Sequence, residues 1–269
     1  MKVVYFTKSF KSSDVADLIR KGHAIGVEGY DLAVRPGYAV SPETVDRLPA
    51  AVKELRANGI DVPMITAPTD LVLPGDERAE PMLRATAEAG VPLFKLGYFR
   101  FDPGQDYWAA VDEARRALAG WEALAARYGV TVCYHTHSGN HMGLNASALA
   151  HLIRGFDPER IGGYLDPGHL LVSGEPFHYA ASIVGEQLKA VGAKDRDWAT
   201  RRWVPAGQGD VDWDHVFDTL KEIGFAGPVS VHAEYHLATD EEHFASLPAE
   251  IAFFKAKAAR GAQKETNVH

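Results

Sequence analysis

Acidic and imidazole side chains collect at the ends of three apolar runs in this sequence. Gly162-Gly163-Tyr164-Leu165 runs into Asp166, a Pro-Gly turn and His169. Val132-Cys133-Tyr134 runs into His135 and His137, and Val229-Ser230-Val231 into His232 and Glu234. A carboxylate at the end of a buried strand needs a metal or a partner, which makes Asp166 the firmest site residue; capping of the following turn is the competing reading. Side chains alternate along a strand, so His135 and His137 share a face, as do His232 and Glu234. Imidazole suits zinc, manganese or general acid work. Glu234 needs only a perturbed environment to serve as a general base, with an ion pair to Lys194 as the competing reading.

Lys194 ends a fourth apolar run and shares a face with Gly192. Its ammonium can hold an oxyanion or supply charge in place of a metal, or pair with Asp195 at the rim. His169 can bind substrate oxygens, orient Asp166 or simply belong to a loop. Among the cations that follow strands, Arg35 is the first choice for substrate contact. Arg202 is a second, in a longer loop with Arg201 and Trp203, while Lys95 and Arg100 read as further loop cations. Tyr98, Trp108, Phe177 and Trp203 can wall a sugar-sized pocket or merely pack. No Ser or Cys occupies a nucleophile elbow, and Gly207-Gln208-Gly209-Asp210 is not a Walker-type phosphate cradle.

These residues need elements that aim them at one place. Short apolar strands alternate with amphipathic helices eight times. The strands are expected near 3–7, 31–34, 62–67, 93–98, 131–135, 161–166, 188–194 and 229–234. The helices between them are expected near 13–24, 42–58, 78–89, 107–128, 146–154 and 213–223, with a closing helix at 241–259. The stretch after Asp166 reads as a loop. Strand–helix alternation means a parallel sheet with crossovers, and eight units in about 260 residues fit a closed barrel. One barrel domain over residues 1–260 and a polar C-terminal tail, 261–269, are expected.

The net charge of −8 argues against nucleic acid or an anionic membrane as the main partner. The one cysteine, Cys133, cannot form an internal disulfide, and a reducing, cytoplasmic setting is the simple reading. No stretch approaches the roughly 20 apolar residues of a membrane span.

The motifs Asp31-Leu32-Ala33-Val34-Arg35-Pro36-Gly37, Tyr134-His135-Thr136-His137-Ser138-Gly139, Leu165-Asp166-Pro167-Gly168-His169, Ala193-Lys194-Asp195 and Gly227-Pro228-Val229-Ser230-Val231-His232-Ala233-Glu234-Tyr235 occur in that order along nearly the whole chain. Together they resemble the sugar phosphate isomerase/epimerase family. These are the xylose isomerase-like (β/α)8 TIM barrels, which include ketose 3-epimerases, hydroxypyruvate isomerase, inosose dehydratase and endonuclease IV. The resemblance implies a divalent metal (manganese, magnesium, cobalt or zinc) held by Glu, Asp, His and Glu on strands five to eight. Asp166 matches strand six. His135 stands at the strand-five Glu and Gly192 at the strand-seven His. His232 falls at the strand-eight ligand, with Glu234 one step further out. The implied metal set is thus His135, Asp166, His232 and Glu234.

The activity implied is a sugar or polyol isomerase or epimerase that abstracts a proton next to a carbonyl and passes through an enediolate. Glu234 would be the base, His135 or His137 would return a proton, and Lys194 or the metal would hold the oxygens. Arg35, His137, His169 and Arg202 would bind substrate. A lyase or dehydratase of a keto-sugar or keto-inositol on the same site is the first alternative, and a catalytically inactive sugar-binding barrel the second. A small carbohydrate or polyol is the expected partner, with homo-oligomers allowed. Endonuclease-type repair fits poorly with an acidic chain.

Overall fold

The computed structural model of the chain describes residues 1–266, with side chains through Arg260. Eight parallel strands close into a barrel: β1 (Lys2–Phe6), β2 (Gly29–Ala33), β3 (Asp61–Thr66), β4 (Leu93–Lys95), β5 (Thr131–His135), β6 (Ile161–Leu165), β7 (Leu188–Ala193) and β8 (Pro228–Val231). Each strand pairs with its sequence neighbours, and β1 closes the barrel on β8 with Val3 opposite Val229 and Tyr5 opposite Val231. The strands are almost uniformly buried, because helices cover one face and the barrel's own interior the other. Met64, Leu93, Cys133, Tyr164 and Ala190 form an apolar cluster separate from the main core; they fill the barrel, while the main core lies between strands and helices.

The helices are α1 (Val15–Ile25), α2 (Leu48–Ala57), α3 (Ala79–Glu88), α4 (Tyr107–Tyr128), α5 (Ala146–Ile153), α6 (Pro167–Ser173), α7 (Phe177–Val184), α8 (Trp213–Glu222) and α9 (Asp240–Thr266). Among the described residues, no helix is long and apolar enough to cross a membrane.

Local chemistry explains where these elements depart from expectation. The single helix expected at 42–58 is a 3-10 segment, Pro42–Arg47, followed by α2. Pro49 has no N–H to bond back into a preceding turn, and Thr44 leaves helical geometry at φ −121°. Strand β4 stops at Lys95 rather than near 98. The Gly97 and Tyr98 N–H groups turn away to the carbonyls of Leu71 and Thr69, at 2.9 Å each. The loop expected after Asp166 is helical: Asp166 is the N-cap of α6, with Pro167 in its first turn. The loop carrying Arg201 to Trp203 contains a small antiparallel hairpin, Asp195–Arg196 with Trp203–Val204. Buried Asp195 organises this segment by accepting the N–H groups of Gly207 at 2.8 Å and of Gly209 and Val211 at 3.2 Å, together with the Trp213 indole N–H at 3.0 Å. Helix α9 runs on to Thr266, past the boundary expected at 260, and the last part of the expected tail, 267–269, lies outside the described residues.

Candidate active site

The C-terminal ends of the strands form one mouth, where barrel chemistry is ordinarily placed. His135 is the last residue of β5, Asp166 follows β6 directly, and His232 follows β8 directly. All three are buried and each offers one ligand atom, these atoms lying within 4.8 Å of one another. His135 Nε2 is 3.6 Å from Asp166 Oδ2, and His232 Nδ1 is 3.9 Å from the same oxygen.

The two oxygens of Asp166 stand in different surroundings. Oδ1 accepts the His169 backbone N–H at 3.1 Å and so caps α6. Oδ2 is buried with no hydrogen-bond partner, as is His135 Nε2. Two orphaned buried ligand atoms facing each other are what a bound cation would satisfy. The outer nitrogens are already fixed: His135 Nδ1 meets the Tyr98 hydroxyl at 2.8 Å, and His232 Nε2 meets the Tyr164 hydroxyl at 2.8 Å. A hydroxyl behind each imidazole orients the ring, and where it accepts the outer N–H the inner nitrogen keeps its lone pair. Burial holds His135 well below the usual histidine range and takes His232 down to about 3. Both are neutral, as ligands must be. The donor set of two imidazoles and a carboxylate suits zinc or another divalent transition ion.

The expected fourth ligand, Glu234, lies outside this cluster. Its Oε2 accepts from Lys194 at 2.7 Å and its Oε1 from Lys8 at 2.6 Å. Burial raises the Glu234 carboxyl, but the charge of Lys194, with that of Lys8, outweighs it and holds the group well below the usual carboxylate range. Lys194 therefore pairs with Glu234 and not with Asp195, whose oxygens are committed to the hairpin segment. The Lys194 ammonium also lies 4.3 Å over the Trp203 ring.

A cavity of ≈ 80 Å³ opens over these groups, lined among others by Phe6, Arg35, Lys95, Tyr98, His135, His137, Lys194, His232 and Glu234. Arg35 reaches it with its Nε anchored to the Ala67 carbonyl at 3.0 Å. His137 donates from Nδ1 to the Ser138 carbonyl at 2.7 Å, which leaves the Nε2 lone pair free. Burial, then the charge of Lys194, takes His137 down to about 4. His169 stacks near His137 with ring centroids 4.0 Å apart. Its Nδ1 accepts the Ser138 N–H at 3.0 Å, so Nε2 carries the proton. Tyr98 and Thr69 are shared with a neighbouring pocket of ≈ 440 Å³ that also holds Arg100 and His141.

Arg202 is exposed in the hairpin turn and does not line the cavity. Trp108 is exposed against His151, and Phe177 packs in the outer core; neither walls the mouth. Two groups near the mouth stand differently from the sequence reading. Lys95 is the buried end of β4 rather than a loop cation. Asp31, in β2, is buried under the mouth, with Thr66 Oγ1 donating to Oδ1 at 2.6 Å and Ser230 Oγ to Oδ2 at 3.0 Å. Burial pushes the Asp31 carboxyl up to about 6 against the lowering effect of these bonds. An aspartate inside an apolar strand was the available signal.

The family model for the xylose isomerase-like TIM barrel matches residues 19–257. Over 140 residues the chain is 25% identical to an inosose dehydratase of Lactiplantibacillus plantarum, a match covering 46% of each. The chain thus spans less than half the length of the curated relatives it matches. Among solved structures, an L-ribulose 3-epimerase superposes with a TM-score of 0.78 at 17% identity, over 99% of this chain and 97% of that one. The IOLI protein, solved with a zinc atom, superposes with a TM-score of 0.75 at 17% identity, over 98% of this chain and 99% of that one. At such identities the structural likeness speaks for the fold, and the matched family model covers most of the sequence: the chain belongs to the xylose isomerase-like TIM barrel family.

Proposed function

We propose that the protein is a divalent-metal-assisted isomerase or epimerase of a small sugar or polyol, acting by proton abstraction next to a carbonyl. The observation that carries this reading is the convergence of His135, Asp166 and His232, with two orphaned ligand atoms, beside the ion-paired carboxylate of Glu234. His135 Nε2, Asp166 Oδ2 and His232 Nδ1 would hold the ion. Bound there, it would act as a Lewis acid on adjacent carbonyl and hydroxyl oxygens and make the C–H between them more acidic.

The chain's own groups supply the proton traffic. Glu234 is ionised at neutral pH, so it is ready to accept a proton, and a substrate oxygen that draws Lys8 or Lys194 away strengthens it as a base. Lys194, freed in the same exchange, neutralises the charge that develops on the enediolate oxygen. His137, with its Nε2 lone pair open to the cavity, takes or returns the second proton. Arg35 binds a substrate hydroxyl or anionic group at the β2 side of the mouth.

The second reading is a lyase, which eliminates a β-hydroxyl from the same enediolate. Two observations favour it: a histidine stands at the strand-five position where the family carries a carboxylate, and an inosose dehydratase is among the sequence relatives. A panel of ketoses and keto-inositols, assayed with zinc, manganese, cobalt and magnesium, separates the two by product: an isomeric sugar, or a dehydrated one. No turnover and no solvent exchange on any of them would instead mark a sugar-binding barrel without catalysis.

A further inference from the structure

Lys95 is a lysine without a counter-ion at the centre of the mouth. It is the last residue of β4 and 2% exposed, yet it lines the cavity. Among the described residues no carboxylate forms an ion pair with it, although the charges of Asp31 and Glu234 favour its ammonium from a distance. Both oxygens of Asp31 are taken by Thr66 and Ser230, and both oxygens of Glu234 by Lys194 and Lys8. Among the described residues, its one close polar contact is the Tyr98 ring face, 3.8 Å from Nζ. A ring face stabilises a desolvated ammonium by less than the ion loses on leaving water. Burial, reinforced by the charge of Arg35, accordingly holds Lys95 well below the usual lysine range. A free amine is a poor electrostatic clamp but a good nucleophile.

We infer that Lys95 forms an imine with the carbonyl group of an aldehyde or ketone bound in the mouth. The Nζ lone pair adds to the carbonyl carbon while the C=O π pair moves to oxygen, which takes up a proton. The resulting carbinolamine loses the nitrogen-bound proton and expels water, which leaves with the C–O pair as the nitrogen lone pair closes C=N. Amine and carbonyl give imine and water, with no redox change, and hydrolysis reverses the step. Once protonated, the imine withdraws electrons from the neighbouring C–H bond, so Lys95 would acidify that bond covalently. The inference rests on reading the mouth as a carbonyl site.

The test is reductive trapping. The full chain is incubated with glycolaldehyde and cyanoborohydride, and the adducts are located by peptide mass mapping. Lys95 should be labelled about tenfold or more faster than an exposed lysine such as Lys53, because far more of it is unprotonated at neutral pH. In K95M, checked for its fold by circular dichroism, the fast adduct should vanish while slow surface labelling persists. Labelling of exposed lysines with none at Lys95 in the wild-type protein overturns the inference, whether or not K95M folds. Turnover of a ketose without a Lys95 adduct would remove the imine and leave the proposed function standing. An adduct without turnover or solvent exchange would support the imine and remove the isomerase reading.

Discussion

Gly192 leaves bare the space that the Asp166 carboxylate fills. A Cβ on Gly192 would stand 2.7 Å from Asp166 Oδ2 and 3.0 Å from its Cγ. The family resemblance implies a histidine ligand at this strand-seven position; here a glycine stands there and the Asp166 side chain seats closely against it. Gly192→Ala should cost about 1–3 kcal/mol in urea unfolding through overpacking and should weaken zinc binding in a titration. Gly192→His should lower metal affinity too, since the new ring displaces Asp166 rather than completing the set. A Gly192→His protein that binds zinc more tightly than wild type would refute this account of the site.

The hydroxyl behind His135 gives a milder test of the metal centre. Tyr98→Phe keeps the ring and its packing but removes the group that meets His135 Nδ1. Loss of such an outer partner lowers metal affinity by about 10–100-fold. His135→Ala and His232→Ala, which delete ligands, should lower it further. Competition with a chromogenic chelator measures all three. Equal zinc affinity in wild type and His135→Ala would place the metal elsewhere.

A pH effect is built into the hairpin segment above the mouth. Glu250 in α9 is buried, with Oε2 accepting the Ala206 N–H at 2.9 Å and Oε1 unpartnered. Burial raises its carboxyl from 4.5 to about 7, against the lowering effect of the Ala206 bond. The folded pKa lies above the unfolded one, so the folded state binds the extra proton between these values. Glu250 thus contributes stability that is fully present below about pH 4.5 and is lost as pH rises through about 7. Relative to Glu250→Gln, whose amide oxygen can still accept from Ala206, wild type should lose stability on the order of 3 kcal/mol across that window. Denaturant unfolding of both proteins at several pH values checks it; a constant difference between them would contradict it.

Strand-end chemistry was legible because it follows simple rules. Alternation along β5 and after β8 placed His135, His137, His232 and Glu234 at the mouth, and all four line its cavity. Asp166 was readable as a site residue or as a cap; Oδ1 caps α6, while Oδ2 faces the two imidazoles without a hydrogen-bond partner. What was not legible depends on tertiary partners. Asp-Pro-Gly reads as a turn, but the same three residues also make an N-cap and a first helical turn, and α6 forms because Asp166 Oδ1 is free to cap it. Lys95 was grouped with the loop cations although the strand expected at 93–98 contained it; its burial at the end of β4 depends on the barrel closing around it. Asp195 stood next to Lys194 in sequence, yet the backbone of 207–211 claims it, leaving Lys194 to Glu234.

In the proposed reaction Glu234 moves a carbon-bound proton next to a carbonyl. Glu234→Gln preserves shape and keeps an acceptor for Lys194 but cannot take a proton. General base catalysis contributes roughly 10²–10⁴-fold, and turnover should fall by about that much while substrate affinity measured by calorimetry changes little. The most direct measurement is proton exchange itself, followed by NMR of a ketose substrate in deuterated water with the metal-loaded protein. The account predicts that wild type incorporates deuterium at the carbon beside the carbonyl and that Glu234→Gln does so at least about a hundredfold more slowly. Turnover with complete retention of the substrate's own hydrogen, or equal deuterium wash-in by Glu234→Gln, would contradict it.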